Sequence, residues 1–579
     1  MNPRKETRLS ITTFLVLVLG ALVLGGFYRL PHLDRRPMHT DEAVLGMKLA
    51  DYWQSGHFDY DPKDYHGPGL HQVSKLWGMA AGWGDSATWT ESDLRLVAAL
   101  CGMALLLLTL LFADALGRAG TALAMTLTAV SPMMVFYSRY FIMEMLLAML
   151  VALSLGSFWR FSQGGTRLWL VLGGCALGMQ HATKETFILN AGAACCGWVA
   201  ARVLVGGFSP RQNGGLQLGP AKSSTRPASP WLWTAVPAVF VSVAAFSSWF
   251  QDWTAVRESV TCYLDYLERG KGSGHQKPWH YYLTLIFWRK DTLVWSEAMI
   301  GGLALAGMLH AFFGDHQRKA ARQAFLVFLT VYTLALLTVY SLISYKTPWS
   351  ILCAQHALIL LAGAGGGAIW AALPNVMLRG LFHLLVASGL YHLCSQTMRL
   401  TGTHANPQLE YSADPRNPYV YSHPPKSLFK LLDLVRSHIG GKTDTARVQV
   451  IQKDSGWPLP WYWRAWPLTG WHTAPPDSLD ADVIVVEADY YDAVKEKIRA
   501  EDYIERSPFG LRPGVIVSVF LRKTPLAESA SGTPAPAPPA PGEPLTPGAG
   551  GATLTPAGTL STPPVFSPEL PPLPGMPRP

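Results

Sequence analysis

Residues 11–28 read ITTFLVLVLGALVLGGFY, and nine residues further on the chain reads Pro37-Met-His39-Thr-Asp41-Glu42-Ala-Val-Leu-Gly46. The first stretch carries no charge over a length that crosses a ~30 Å hydrocarbon layer as a helix. The second places two carboxylates at the start of an amphipathic pattern with Val44, Met47 and Tyr52 on its apolar face, which predicts a helix lying on the outer membrane surface and capped by Thr40 or Asp41. A signal peptide is the other reading of the N-terminus, but the run is long and lacks the small-residue exit that cleavage needs.

Working outward, further apolar runs fall near 94–114, 119–137, 141–160, 167–181, 186–206, 231–249, 296–313, 323–344, 349–373 and 376–396, which with 9–30 predict about eleven transmembrane helices. The stretch from Trp279 to Trp288 reads as a further interfacial or re-entrant segment. Basic residues in short loops set the orientation. Arg4, Lys5, Arg8, Arg118, Arg160, Arg167, Arg202, Arg322 and Arg379 fall on one side when the spans alternate, so the N-terminus is cytoplasmic. The loops 31–93 and 250–295 and everything after Met398 are then extracytoplasmic, in a cell (inner) membrane.

Composition agrees. Of 579 residues 49% are hydrophobic and 15% charged, which excludes a purely soluble enzyme. The 47 basic against 39 acidic residues leave +8, but no helical face concentrates them as a nucleic-acid binder requires. The seven Cys contain no CxxC pair, which argues against a disulfide framework or zinc site. The predicted organisation is a transmembrane domain over 1–398, a small extracytoplasmic α/β domain over 399–523 and a disordered Pro-rich tail over 524–579. In the α/β part, strands are expected at Arg447–Gln452, Asp482–Glu487 and Gly514–Leu521, with a helix through Tyr491–Ala500.

Chemistry-bearing residues gather in the outer loops. Asp41 and Glu42 suit helix capping and dipole complementation, and equally suit a base that takes a proton from an acceptor. The same loop continues Asp59-Tyr-Asp61 and then Asp64-Tyr65-His66-Gly-Pro68, crowding carboxylates and imidazoles at the interface. Asp59-x-Asp61 has the form of a divalent-metal pair, although no metal ligand set is assigned and no cofactor is implied with certainty. Arg139 and Glu144 flank the turn after Ser131; Lys184 and Glu185 follow His181; Tyr345 and Lys346 precede Pro348. Three cations (Arg139, Lys184, Lys346) at the outer ends of spans suit a lipid-linked phosphate, and singly each suits an interfacial anchor. The glycine-rich middle of 250–295 suits a loop that orders on substrate.

Together, His39-Thr-Asp41-Glu42, Tyr65-His66-Gly-Pro68, Ser138-Arg139-Tyr140, Thr183-Lys184-Glu185 and Tyr345-Lys346-Thr347-Pro348-Trp349 resemble the membrane glycosyltransferases of the GT-C fold. The group is that of the protein mannosyltransferases and aminoarabinose transferases, nearest the flippase-activity-associated subfamily, over roughly residues 10–400. The resemblance implies a polyprenyl-phosphate sugar donor, an outward-facing site and inverting transfer. It implies Asp41 as base with Glu42 as its neighbour, and Arg139 with Lys184 or Lys346 on the donor phosphate. It implies His39, Tyr65, His66, Glu144, Glu185 and Tyr345 as substrate contacts. The acceptor is left open, whether protein, lipid or glycan, and the alternatives are a flippase with His356 or His383 on its path, or a scaffold for lipid-linked saccharide export.

Overall fold

The computed structural model describes residues 9–62, 66–207, 229, 231–269, 276–290, 293–314, 320–404, 406, 409–453 and 456–524. Tyr65 and the Pro-rich tail beyond Pro525 lie outside them. The first helices are α1 (Ile11–Arg29), α2 (Thr40–Ser55), α3 (Gly69–Ala81), α4 (Glu91–Leu108), α5 (Ala113–Val130), α6 (Pro132–Ser138), α7 (Met143–Ser162), α8 (Leu168–Thr183) and α9 (Phe187–Val205). Then come α10 (Leu232–Phe246), α11 (Trp253–Arg269), α12 (Tyr281–Phe287), α13 (Ala298–Phe313), α14 (Ala320–Leu342), α15 (Leu352–Ala372) and α16 (Val376–Thr401).

Among the described residues seven helical stretches are long and apolar enough to cross a membrane: α1, Glu91–Val130, α7, α9, α14, Pro348–Ala372 and α16. The 40 residues of Glu91–Val130 would reach ~60 Å as one helix, twice the hydrocarbon layer. The chain instead breaks inside α5 at Gly117, whose φ of 76° suits glycine, so the stretches before and after it are separate crossings. With the shorter α8, α10 and α13, every predicted span has its helix, and the chain is a multi-pass membrane protein. The run expected to continue to 137 stops at Ser131, which caps the short α6 ahead of Pro132. Helices α13 and α15 touch backbone to backbone: a Cβ on Gly307 would sit 2.1 Å from the Leu361 carbonyl, and one on Gly365 2.0 Å from that of Leu303.

Helix α2 departs from expectation. Neither Thr40 nor Asp41 caps it; His39 does, its Nδ1 accepting from the Asp41 amide at 3.0 Å while the Glu42 carboxylate accepts from the His39 amide at 3.0 Å. Its Ala43, Leu45, Leu49 and Ala50, like Val44 and Tyr52 of the expected apolar face, are buried in the protein.

The C-terminal part opens with α17 (Ser427–Ile439) and builds one five-stranded sheet in the order β4-β3-β5-β7-β6, after an earlier two-residue pair of strands, β1 (Arg289–Lys290) and β2 (Val294–Trp295). The sheet strands are β3 (Val448–Ile451), β4 (Thr469–His472), β5 (Val483–Glu487), β6 (Tyr503–Arg512) and β7 (Val515–Arg522), with α18 (Leu459–Tyr462) and α19 (Tyr491–Lys497) between them. Strands β4, β3 and β5 are parallel, and β7 runs antiparallel to β5 and β6. Period-two alternation sorts the two faces. Val448, Val450, Val483, Val485, Val517 and Val519 pack on Leu428, Leu431 and Val435 of α17, whereas Ile484, Val486 and Phe520 pack on Val494 of α19.

This sheet domain is seated on the first loop of the membrane part. The Trp461 ring fills the space where a Cβ on Gly46 would meet it at 2.8 Å. Met38 N–H donates to the Tyr462 hydroxyl at 2.9 Å, and Arg464 donates to the carbonyls of Ser86, Ala87 and Trp89.

Candidate active site

The start of α2 separates its two acids. Glu42 is fully buried, with Oε1 accepting from Arg95 Nε at 2.8 Å and the Phe141 amide at 2.9 Å, and Oε2 from Arg95 Nη2 at 2.7 Å. Burial alone would raise its pKa, but Arg95 and then Arg36 outweigh that and bring it down to about 2. A carboxylate so acidic and so fully engaged cannot take a proton at neutral pH. The catalytic part expected of Glu42 is therefore replaced by a structural one, the anchor of an Arg95–Glu42–Arg36 cluster.

Asp41, one residue earlier on the helix, turns the other way. Its side chain is 49% exposed, with Oδ1 3.7 Å from His39 Nδ1. Burial raises the pKa of the Tyr140, Tyr345 and Tyr421 hydroxyls, and the charge of Asp41 pushes each the same way.

His39 touches protein at both nitrogens. Nδ1 accepts from the Asp41 amide, so the proton of the neutral ring is on Nε2, which donates to the Tyr421 carbonyl at 3.0 Å. Its ring, 3% exposed, lies 5.3 Å from Tyr140, 6.1 Å from Trp349 and 4.8 Å from His423. The substrate contact expected of His39 thus gives way to a contact that holds the Asp41 turn.

The expected phosphate cations divide. Arg139 Nη1 donates to the carbonyls of Tyr28, Arg29 and Pro31 at 2.7–3.1 Å, and Nη2 to those of His32 and Thr401 at 2.7 and 3.1 Å. It caps the end of α1 and ties it to α16, and burial brings its pKa down to about 9. In this structure its terminal nitrogens are committed to backbone carbonyls. Lys346 Nζ is held by the carbonyls of Ile343 and Lys277.

Lys184 is different: it ends α8 in ion pair with Glu144 at the start of α7, and an ammonium bonded to one carboxylate keeps further donors. This pair lines a small cleft with Thr186, Tyr340, Trp349 and Ser350. Trp349, on the wall of this cleft, lies 6.1 Å from the His39 ring, and His39 Nδ1 lies 3.7 Å from Asp41 Oδ1. Glu185 binds His66 Nδ1 at 2.7 Å. Burial would raise the Glu185 pKa, but His66 and Lys184 bring it down to about 2. His66 and Glu185 thus form a pair of their own.

Sequence reasoning missed three contributors. Arg36 donates to the Arg139 carbonyl at 2.6 Å and His423 Nε2 at 3.1 Å, between the rings of Phe136 and Tyr140. Lys277, in the stretch Gln276–Pro278 that pairs with Ser344–Tyr345, holds its ammonium 5.9 Å from the Tyr421 ring. Third is the run 409–426, expected to belong to the separate domain. It enters the site with Tyr419 and Asn417 fully buried, Tyr137 OH donating to the Tyr419 carbonyl at 2.9 Å and Tyr419 OH to Glu297 Oε1 at 2.8 Å. Glu297 also accepts from Ser131 Oγ, the Met133 amide and Gln355 Nε2. Its only sequence signal is an acid beside an apolar run.

Among the described residues no three His, Cys, Asp or Glu side chains converge as metal ligands. His356 is buried, within 3.5 Å of the Thr109 hydroxyl, whereas His383 is exposed on α16 near Trp370.

The family described as dolichyl-phosphate-mannose-protein mannosyltransferase matches residues 75–210, about a quarter of the chain. No curated protein sequence matches. Among solved structures the chain is similar to ArnT from Cupriavidus metallidurans bound to undecaprenyl phosphate, at 16% identity and TM-score 0.55, covering 88% of this chain and 98% of that one. The apo state of the same ArnT gives 15% identity and TM-score 0.54 over the same shares. The Archaeoglobus fulgidus oligosaccharyltransferase AglB, in complex with an inhibitory peptide and a dolichol-phosphate, gives 14% and 0.48, covering 89% of this chain and 74% of that one. The fold is accordingly the GT-C fold of membrane glycosyltransferases, extending through the C-terminal sheet domain.

Proposed function

We propose that this chain is a glycosyltransferase that moves a sugar from a polyprenyl-phosphate donor to an acceptor on the extracytoplasmic side of the membrane, with Asp41 as general base. The observation that carries this reading is the division of labour at the head of α2. Glu42 is sealed between Arg95 and Arg36, while its neighbour Asp41 is half exposed beside His39, whose ring lies 6.1 Å from Trp349 on the wall of the Lys184–Glu144 cleft. The shared fold with an ArnT that binds undecaprenyl phosphate, and the mannosyltransferase match over 75–210, support the donor class.

In this reading the acceptor oxygen loses its proton to Asp41 as it attacks the anomeric carbon, and the lipid phosphate leaves from the opposite face. The configuration inverts. Lys184 meets the developing phosphate charge from inside the cleft and Lys277 from the rim over Tyr421, while Arg139 and Lys346 hold backbone. Glu144 keeps Lys184 charged and in place despite its burial. The test is incubation of the purified protein with a panel of polyprenyl-phosphate sugars, with and without divalent metal, following release of polyprenyl phosphate by mass spectrometry. Release from at least one donor is expected, and silence across the panel contradicts the reading.

A further inference from the structure

Helix α11 divides its surface three ways. Ala255, Ser259 and Cys262 are buried against the protein. Trp253, Val260 and Leu264 are exposed by 62%, 65% and 70% and lie within about 40° of one another at 100° per residue. Thr254, Arg257 and Thr261 are exposed beside them on a polar strip. Arg257, Glu258, Asp265, Glu268 and Arg269 make the helix too charged to span a membrane. One face on protein, one apolar and one polar is the division expected of a helix lying along a bilayer surface.

The approach to α11 points the same way. Ser248, Trp249 and Phe250 carry positive φ of 47°, 63° and 71°, a left-handed turn made without glycine. Ser248 Oγ pins the turn by accepting from the Phe58 amide at 2.8 Å and donating to its carbonyl at 3.1 Å. The turn presents Trp249 and Phe250 outward, half exposed. The Phe250 ring lies 5.9 Å from Phe240 and 6.2 Å from Trp253. Phe240, with Val236 and Val239, forms the exposed apolar side of the crossing helix α10, so one apolar surface runs from that helix through Phe250 onto α11.

We infer that α11 is an interfacial helix seated in the leaflet on the Asp41 side, with Trp249, Phe250, Trp253, Val260 and Leu264 in contact with phospholipid. The continuity with α10 selects lipid as the occupant: a face that prolongs the hydrocarbon-facing side of a span meets the same solvent, with Trp at the depth that indole favours. On its protein side the helix stacks Tyr263 on His181, at 6.2 Å and 16°, and the Glu185 charge reaches Tyr263. The leaflet surface therefore stands level with the His66–Glu185 pair. For the proposed function, on which this last point rests, that is the depth at which a lipid-borne phosphate is presented.

The test replaces four positions singly in the full-length chain: Val260→p-benzoylphenylalanine and Leu264→p-benzoylphenylalanine on the apolar face, and the same change at Thr254 and Thr261 on the polar strip. Each variant is placed in nanodiscs of phosphatidylethanolamine and phosphatidylglycerol, illuminated, and digested for mass spectrometry of lipid adducts. Lipid adducts several-fold more abundant at 260 and 264 than at 254 and 261 are expected. Equal labelling at all four positions, or adducts at 260 and 264 to protein in place of lipid, overturns the inference. Neither result bears on Asp41, whose role is read from turnover.

Discussion

At the scale of single residues, the head of α2 separates a structural acid from a reactive one. Glu42→Gln leaves Arg95 buried without its counter-charge, and the expected loss is about 3–5 kcal/mol of stability, read as a lower thermal unfolding midpoint. The pH dependence has a definite sign. The folded pKa of Glu42 is depressed from 4.5 to about 2, so its contribution is present above 4.5 and lost as pH falls through about 2. Stability of the parent chain should drop over that window, and the Glu42→Gln variant should lose this component of the drop. His39 gives a second test. His39→Ala removes the cap and should cost ~1 kcal/mol from capping alone, whereas His39→Asn can still cap and should recover most of that in the same melt. Asp41, Glu42 and His39 were legible as a cluster because they are contiguous. Arg95 and Arg36 were not assigned to it, because nothing in the local pattern at Arg95 distinguishes a cation aimed at Glu42 from one that anchors a helix end.

At the scale of elements, apolar crossings are readable from local sequence because a helix in lipid must satisfy its backbone hydrogen bonds within itself. That is why each of the predicted spans has its helix, and why only the Ser131–Pro132 break was misplaced. Strands β3, β5 and β7 were visible as β-branched runs, while β6 was hidden by Pro508 and the charges of Glu505 and Arg506, and β4 by the glycine within Thr469–His472. The run 409–426 was read with the α/β domain; it packs on Tyr137, Arg36, His39 and Glu297, all distant in the chain, which no local pattern signals. Tyr419→Phe tests this placement. It removes a donor from the buried Glu297 carboxylate without changing the ring, and should lower stability by about 1–3 kcal/mol in thermal unfolding. An unchanged midpoint would mean that Tyr419 does not reach Glu297.

At the scale of the whole molecule, the helices, the first loop and the C-terminal segment meet around one carboxylate. Hydropathy gave the transmembrane helices, and the resemblance carried by Asp41, Lys184 and Tyr345 points to the proposed site. Lys184 has a single carboxylate partner, whereas Arg139 and Lys346 each bond several backbone carbonyls, which favours Lys184 as the phosphate cation of the proposed site. The most direct test is Asp41→Asn, in the assay that follows polyprenyl phosphate release from the donor the parent chain accepts. The substitution preserves size and, with His39 and Glu42 intact, the cap of α2. A fall of roughly 10²–10⁴-fold in turnover, with thermal stability unchanged, is the predicted result. Turnover equal to that of the parent would contradict Asp41 as the base, and with it the account of the site.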